Sequence, residues 1–116
     1  MLPSKHRLPL RTELHQVKEK GVLIQGRLFS LILTHQGGKI RQASRFGFII
    51  STKVHKKAVK RNRAKRLLGE AIQELLPKMK SDFNVVFLAK KRLIEAPPAT
   101  IKIELKKLFT QAGIID

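Results

Sequence analysis

Apolar positions recur along this chain at two spacings, one typical of strands and one typical of helices. Segments with the length and pattern of strands are residues 22–24, 28–34, 46–51 and 84–89. The segment 84–89 is apolar at every position after its first, which is typical of a strand buried on both faces. Amphipathic helical spacing occupies residues 12–20, residues 56–76 and a last stretch that follows Pro98.

Local signals predict where these helices begin and end. Thr12 is a candidate N-cap of the first helix, and Gly21 is placed where a left-handed residue often ends a helix. Thr100 is the candidate cap of the last helix, which we expect to end at Gly113. Pro77 is expected to end the long helix, because proline cannot continue its hydrogen bonding.

The resulting element order is α-β-β-β-α-β-α, with a loop at residues 36–44 that contains Gly37 and Gly38. This order predicts the α+β class, as a two-layer sandwich with a mostly antiparallel sheet of about four strands. A chain of 116 residues is long enough for one modest hydrophobic core. We therefore predict a single domain over residues 1–116.

The charge balance narrows the choice of partner. The chain has 25 Lys and Arg residues against 8 Asp and Glu residues, for a formal net charge of +17, which is far more than solubility requires. No apolar run approaches the roughly 18 residues of a membrane span, and the chain has no cysteine. These features favour a nucleic acid over a membrane surface or an acidic protein, and they predict a cytoplasmic location.

The cations concentrate in one segment. Residues 53–66 include eight Lys or Arg and no acidic residue, and such like charges repel one another on a helix unless phosphates neutralise them. A solvated helix face usually carries charges of both signs, as the later part of this helix does with Glu70 and Glu74. The predicted RNA contacts are Lys53, Lys57, Lys60, Arg61, Asn62, Arg63, Lys65 and Arg66. Arg61 falls toward the apolar stripe, so we expect it to reach RNA from the junction of loop and helix.

The same segment carries a specific motif. Residues 57–71, KAVKRNRAKRLLGEA, resemble the RNR signature of the bacterial ribonuclease P protein subunit, KAVxRNxxKRxxRE. RLPLRTELHQVKEKG, RFGFIISTKV and DFNVVFLAKK resemble the flanking segments of that family in the same order. One departure is Gly69, which stands where the family has Arg. We expect Gly69 on the exposed helix face, where one RNA contact is lost and the helix is weakened by about 1 kcal/mol.

The resemblance implies a function. The family provides the small subunit of a ribonucleoprotein endonuclease that removes the 5′ leader from precursor tRNA. Its RNA subunit performs the hydrolysis with Mg²⁺, so the resemblance implies no catalytic residue and no metal site on the protein, and no required protein partner. The partners implied are the RNA subunit, bound by the RNR helix, and precursor tRNA. The resemblance also implies a left-handed crossover from the third strand through the long helix to the fourth strand.

The resemblance further implies that a cleft between the first helix and the sheet holds the single-stranded leader. The matching positions are Leu14, Val17, Lys18, Ser30, Ile32 and Ile49. The family tends to have stacking aromatics at three of them, where this chain has Leu14, Lys18 and Ile32. Leader binding is therefore expected to depend more on charge and apolar contact. The alternative for Leu14 and Val17 is simple core packing.

Two other functions remain open from the residues alone. A structural RNA-binding protein, of the ribosomal or chaperone type, would share the charge but not the specificity for precursor tRNA. A metal-dependent nuclease would need convergent carboxylates, for which Glu70 and Glu74 are the only close pair on a helix face. We favour ion pairs of Glu70 with Arg66 and of Glu74 with Lys78 for these carboxylates. The four histidines are scattered along the chain.

Overall fold

The computed structural model describes residues 2–37 and 42–116. The helices are α1 (Leu10–Lys20), α2 (Ala58–Leu75), α3 (Arg92–Glu95) and α4 (Pro98–Ala112), and the strands are β1 (Val22–Ile24), β2 (Phe29–His35), β3 (Arg45–Ile49) and β4 (Phe83–Ala89). The predicted order of elements is confirmed, with the addition of the one-turn helix α3. The middle of the loop predicted at 36–44, residues 38–41, lies outside the described residues.

The four strands form one sheet in the order β1-β2-β4-β3. β2 pairs antiparallel with both β1 and β4, whereas β3 pairs parallel with β4. The predicted α+β class with a mostly antiparallel sheet is confirmed. β3, α2 and β4 therefore form a parallel crossover unit. The left hand of that crossover stays a prediction from the family resemblance.

The two faces of the sheet bury different helices, because successive strand residues point to opposite sides. One face contributes phenylalanines to the main core, where the rings of Phe29 and Phe87 lie 5.3 Å apart and those of Phe46 and Phe109 lie 6.1 Å apart. α2 and α4 close this core. The other face carries a smaller cluster under α1. The molecule thus has a deep core on one side of the sheet and a shallow, partly open one on the other.

The helix termini differ from several predictions. α1 begins at Leu10 after Pro9, so Thr12 lies within its first turn and is not the N-cap. Gly21 has extended backbone angles, with φ of −80°, and its small size instead allows a close approach to the Val17 carbonyl and Ile32. Proline also precedes α4, so Thr100 lies inside that helix and is not its cap.

Other predictions for the helix ends are confirmed. Gly113 ends α4 in the left-handed conformation, with φ of 80°, and its N–H bonds back to the last turn. The α-helical part of the long helix ends at Leu75, and a 3-10 turn over Leu76–Lys78 contains Pro77. Within residues 2–37 and 42–116, no helix is long and apolar enough to cross a membrane.

The position of Gly69 corrects an expectation from the helical wheel. Gly69 is buried and not exposed, because the segment before α1 folds back over α2. A Cβ atom at Gly69 would lie 4.0 Å from Leu2 Cγ, and Leu2 itself is only 4% exposed. This N-terminal segment, residues 2–9, is held along the edge of the sheet by a bond from the Leu8 N–H to the Phe46 carbonyl of 2.9 Å.

Candidate nucleic-acid interface

The predicted RNA-binding residues lie around the first three turns of α2 and the loop before it. The exposed members are Lys53, Lys57, Lys60, Asn62, Lys65 and Arg66, while Arg61 and Arg63 are half-buried. Ala64 and Leu68 anchor the helix to the sheet from the opposite side. The surroundings of Asn62 are thus open to a macromolecular ligand. We call these eight residues the α2 ridge.

Arg61 has a different position from the one expected. α2 begins at Ala58, so Arg61 lies inside the helix and not at a junction. Its Nη1 donates to the carbonyl oxygens of His55 and Lys56, at 2.7 and 2.8 Å. The guanidinium therefore fixes the loop that presents Lys53 and Lys57, and it retains other N–H groups that a phosphate can accept.

The acidic side chains of α2 are engaged in ion pairs. Glu70 Oε1 lies 4.0 Å from Arg66 Nε, and both side chains are more than half exposed, so the predicted pair is confirmed but weak. Glu74 does not pair with Lys78; its Oε1 lies 2.8 Å from Lys102 Nζ of α4. The correction follows from the packing of α4 against α2, which brings Lys102 within reach. Among the described residues, no group of three or more His, Asp or Glu side chains could hold a metal ion.

α1 lies across the second face of the sheet and covers part of it. Val17 is 1% exposed and packs with Ile32, Val86 and Leu8 in the smaller cluster. Gly47 lies in the same sheet row, and a Cβ there would be 2.6 Å from Leu10 Cδ2, so glycine lets the start of α1 approach β3. For Val17, the core-packing alternative is therefore correct. Ile32, at 9% exposed, is also a floor residue under the helix.

The next row of the sheet, beside α1, is only partly covered at Leu88 and Ile49, and this shallow surface corresponds to the predicted cleft. In this row Ser30 lies opposite Leu88, and Leu88 lies opposite Ile49. Leu14 is half-buried at the wall of the cleft and Lys18 is exposed. All six predicted positions are thus brought to one side of the molecule. Leu14, Lys18 and Ile49 are accessible beside α1, whereas Ser30 and Ile32 are buried in the sheet and Val17 is buried on the inner face of α1.

Two further residues close the end of the cleft, and the sequence analysis missed them. Gln25 Oε1 accepts a bond of 2.7 Å from the Ser30 hydroxyl and one of 3.2 Å from Lys90 Nζ. Lys90 Nζ also donates to the Gly26 carbonyl at 2.5 Å. Lys90 directly follows β4, so a cation at the end of a predicted strand was the available signal. Gln25 carried none, because its role depends on strand pairing.

A cationic connection joins the cleft to the α2 ridge. Exposed Lys91 and Arg92 follow Lys90, and α3 then packs against α2. At this contact Arg63 Nη1 points to the Ile94 carbonyl at 3.4 Å. The positive surface therefore continues from Lys90 to the first turns of α2, which suits a partner with an extended phosphate backbone.

Comparisons with known proteins agree with this arrangement. The family model described as Ribonuclease P matches residues 2–113. The ribonuclease P protein component of Synechocystis sp. is 36% identical over 115 residues, which cover 99% of this chain and 91% of that protein. The corresponding protein of Microcystis aeruginosa is 37% identical, with coverage of 98% and 96%.

Solved structures show the same fold. The RNase P protein from Thermotoga maritima, in complex with 1-(4-fluorophenyl)-2-thiourea, has a TM-score of 0.78 at 25% identity, over 88% of this chain and 95% of that one. The Staphylococcus aureus RNase P protein has a TM-score of 0.84 at 19% identity, over 96% and 98%. The chain therefore belongs to the ribonuclease P protein component family, and as such it is a subunit of the endoribonuclease complex that matures the 5′ end of tRNA.

Proposed function

We propose that this protein binds the RNA subunit of ribonuclease P through the α2 ridge and the 5′ leader of precursor tRNA in the cleft beside α1. Hydrolysis is assigned to the RNA subunit, which uses Mg²⁺, and no step of the chemistry is assigned to a side chain of this protein. The protein's contribution is to hold substrate and RNA together and to neutralise their mutual repulsion. On its cysteine-free sequence we place it in the cytoplasm.

The observation that carries this proposal is the continuity of the positive surface. Exposed Lys91 and Arg92 follow Lys90 along the chain, and Arg63 of α2 bonds to the carbonyl of Ile94 two residues later; Glu95 is the first acidic residue after Lys90. A single-stranded leader leaving the cleft at Lys90 would therefore stay on cations as it approaches an RNA bound to α2. A structural RNA-binding protein has no need of the separate cleft.

The cleft itself suits a single strand better than a duplex. Its accessible wall combines apolar Leu14 and Ile49 with exposed Lys18, which offers contact to unstacked bases and to the backbone at once. No aromatic side chain stands at these positions. We therefore expect weak preference among leader sequences, with an affinity that depends steeply on salt.

Reconstitution tests the proposal. Purified protein is added to a bacterial ribonuclease P RNA at low Mg²⁺, and cleavage of precursor tRNA is compared with that by RNA alone and by protein alone. We expect cleavage only with the RNA, stimulated by the protein, and tighter binding of precursor tRNA than of mature tRNA. Equal affinity for both tRNAs would favour a general RNA-binding protein, and cleavage by RNA-free protein would favour a self-sufficient nuclease. Either result would overturn the proposal.

A further inference from the structure

A cavity of about 430 Å³ lies between the N-terminal segment, the edge of β3 and the middle of α2. Its volume is in the range of roughly 300–1,000 Å³ that is common for small-molecule sites. The cavity reaches Leu10 at the start of α1 and Gly47 beneath it, whereas the leader cleft lies at a different row of the sheet, that of Ser30, Leu88 and Ile49. Its lining includes Leu2, Leu8, Phe48, Asn62, Lys65 and Arg66.

The cavity exists in this form because residue 69 is glycine. Nothing but Leu2 Cγ, at 4.0 Å, lies near the place of a Cβ at Gly69, so the backbone of α2 forms part of the cavity wall. The arginine that the family pattern has at this position would extend a long side chain from that wall. The departure from the pattern, which costs one cation, thus leaves an open apolar space next to the α2 ridge.

The lining has the character of a nucleotide site. Leu2, Leu8 and Phe48 supply apolar surface, while the rim on α2 carries Asn62, Lys65 and Arg66, all exposed. An apolar floor accepts the face of an unstacked base, and cations beside it accept the adjoining phosphate. The rim belongs to the surface proposed above to bind RNA, so a base that enters the cavity would come from that same RNA.

The edge of β3 adds hydrogen-bonding groups. The Phe46 carbonyl accepts the Leu8 N–H, so the backbone groups of Phe46 point outward from the sheet. Because alternate strand residues direct their backbone groups to the same edge, the N–H and C=O of Phe48 also point outward from the sheet. The N-terminal segment has turned into α1 at Leu10 by this point and no longer runs along β3. A donor and an acceptor side by side match the hydrogen-bonding edge of a nucleobase.

We propose that this cavity holds a single unpaired nucleobase of the partner RNA, extruded from its helix, with the adjoining phosphate on Lys65 and Arg66. The inference rests on the proposed function for the source of the base. In a filled cavity, apolar contact with a base would take the place of the phosphate contact that the family's arginine at position 69 implies.

The test uses adenosine 5′-monophosphate as a probe, with ribose 5-phosphate as the phosphate-only control, and follows backbone amide resonances of the full chain. We expect the nucleotide to shift the signals of Gly47, Asn62, Lys65 and Gly69, and to bind at least about fivefold more tightly than ribose 5-phosphate. Equal affinity of the two probes, or shifts spread evenly over all cationic residues, would show a charge effect only and overturn the inference.

Variants that fill the cavity sharpen the test. Gly69→Met adds an uncharged side chain into the space and raises helix propensity, and its thermal midpoint is compared with the parent's because Leu2 lies 4.0 Å from this position. We expect this variant to bind adenosine 5′-monophosphate at least about fivefold more weakly than the parent. The affinity of Gly69→Ala should lie between those of Gly69→Met and the parent. Ala99→Met, at an exposed position of α4, is the matched control and should leave the affinity unchanged. An unchanged affinity for Gly69→Met would overturn the inference.

Binding to ribonuclease P RNA separates this inference from the proposed function. Gly69→Met should lower the affinity about tenfold without changing the dependence of log K on log salt, because no phosphate contact is lost. If the parent protein does not bind or stimulate that RNA, the proposed function fails, whatever the nucleotide probe shows. If the parent binds the RNA and Gly69→Met binds it equally well, the base cavity alone is refuted.

Discussion

Arg45 and Glu13 form a two-point ion pair that joins the edge strand β3 to α1, with Nη1 2.8 Å from Oε2 and Nη2 2.6 Å from Oε1. The third donor of this arginine, Nε, bonds to Asn84 Oδ1 on β4 at 3.1 Å. On the helix, Glu13 lies on the flank away from Lys18 and the cleft. The ion pair therefore fixes the position of α1 on the sheet from the side opposite the cleft, and the width of the cleft depends on that position.

Loss of this pair should loosen α1 and the cleft together. We expect Glu13→Gln to lower the free energy of unfolding by about 1–2 kcal/mol, because the side chains of Glu13 and Arg45 are about three-quarters buried and joined by two hydrogen bonds. Urea unfolding followed by circular dichroism measures this. Affinity for precursor tRNA should fall about threefold or more, with little change for the RNA subunit. Glu19→Gln, in an exposed pair with His15, is the control, and an equal effect there would contradict the role of Glu13.

Arg66 and Arg61 should differ although both are arginines of one motif. Arg66 is exposed, so Arg66→Ala is expected to reduce the salt slope of RNA binding by about 0.7–0.9 units without lowering stability. Arg61→Ala also releases the loop carbonyls of His55 and Lys56, so it should lower the thermal midpoint as well. Filter binding at several salt concentrations and thermal unfolding measure the two effects.

Lys107→Ala, at an exposed position of α4, is the control for the charge change in the arginine variants. It removes the same unit of charge away from the α2 ridge, so the salt slope should stay nearly constant. A slope that drops as much for Lys107 as for Arg66 would mean that the RNA does not distinguish α2 from the rest of the surface.

An aromatic side chain in the cleft should strengthen leader binding. Leu14 is half-buried at the accessible wall, and Leu14→Phe offers a ring on which a leader base can stack, at about 1–3 kcal/mol per base. We expect precursor tRNA to bind about fivefold or more tightly, with mature tRNA unaffected. Gln16→Phe, on the exposed outer face of α1, is the matched control, and a gain there of similar size would argue against a leader site in the cleft.

A buried carboxylate supports the far end of the cleft. Glu104 of α4 is 9% exposed and accepts the backbone N–H groups of Arg27, Leu28 and Phe29, the closest at 2.5 Å. Glu104→Gln replaces one acceptor oxygen by a donor that faces these N–H groups, so we expect the unfolding free energy to fall by about 2–3 kcal/mol. Urea unfolding measures the loss. Glu95→Gln, at an exposed position of α3, should have little effect, and equal losses would contradict this account.

The cationic site could be predicted from the sequence, but the depth of the cleft could not. The composition of residues 53–66, with eight Lys or Arg and no acidic residue, predicts the cationic site directly. Of the eight residues of the α2 ridge, six are exposed. Val17 and Ile32, by contrast, are predicted as leader contacts, but Val17 is buried on the inner face of α1 and Ile32 is buried in the sheet beneath it. Their exposure depends on where α1 rests, and the Glu13–Arg45 pair that decides this joins residues 32 positions apart.

The sequence by itself determined the four strands, three of the four helices, their order and the charge of α2, because periodicity and composition act between near neighbours. Only the tertiary structure decided that β4 lies between β2 and β3, that Leu2 covers Gly69 and that Glu104 holds a loop 76 positions away. Such pairings depend on which surfaces the packed elements bring together. The local spacing of residues does not specify which elements pack together, since many distant partners would satisfy the same side chain equally well.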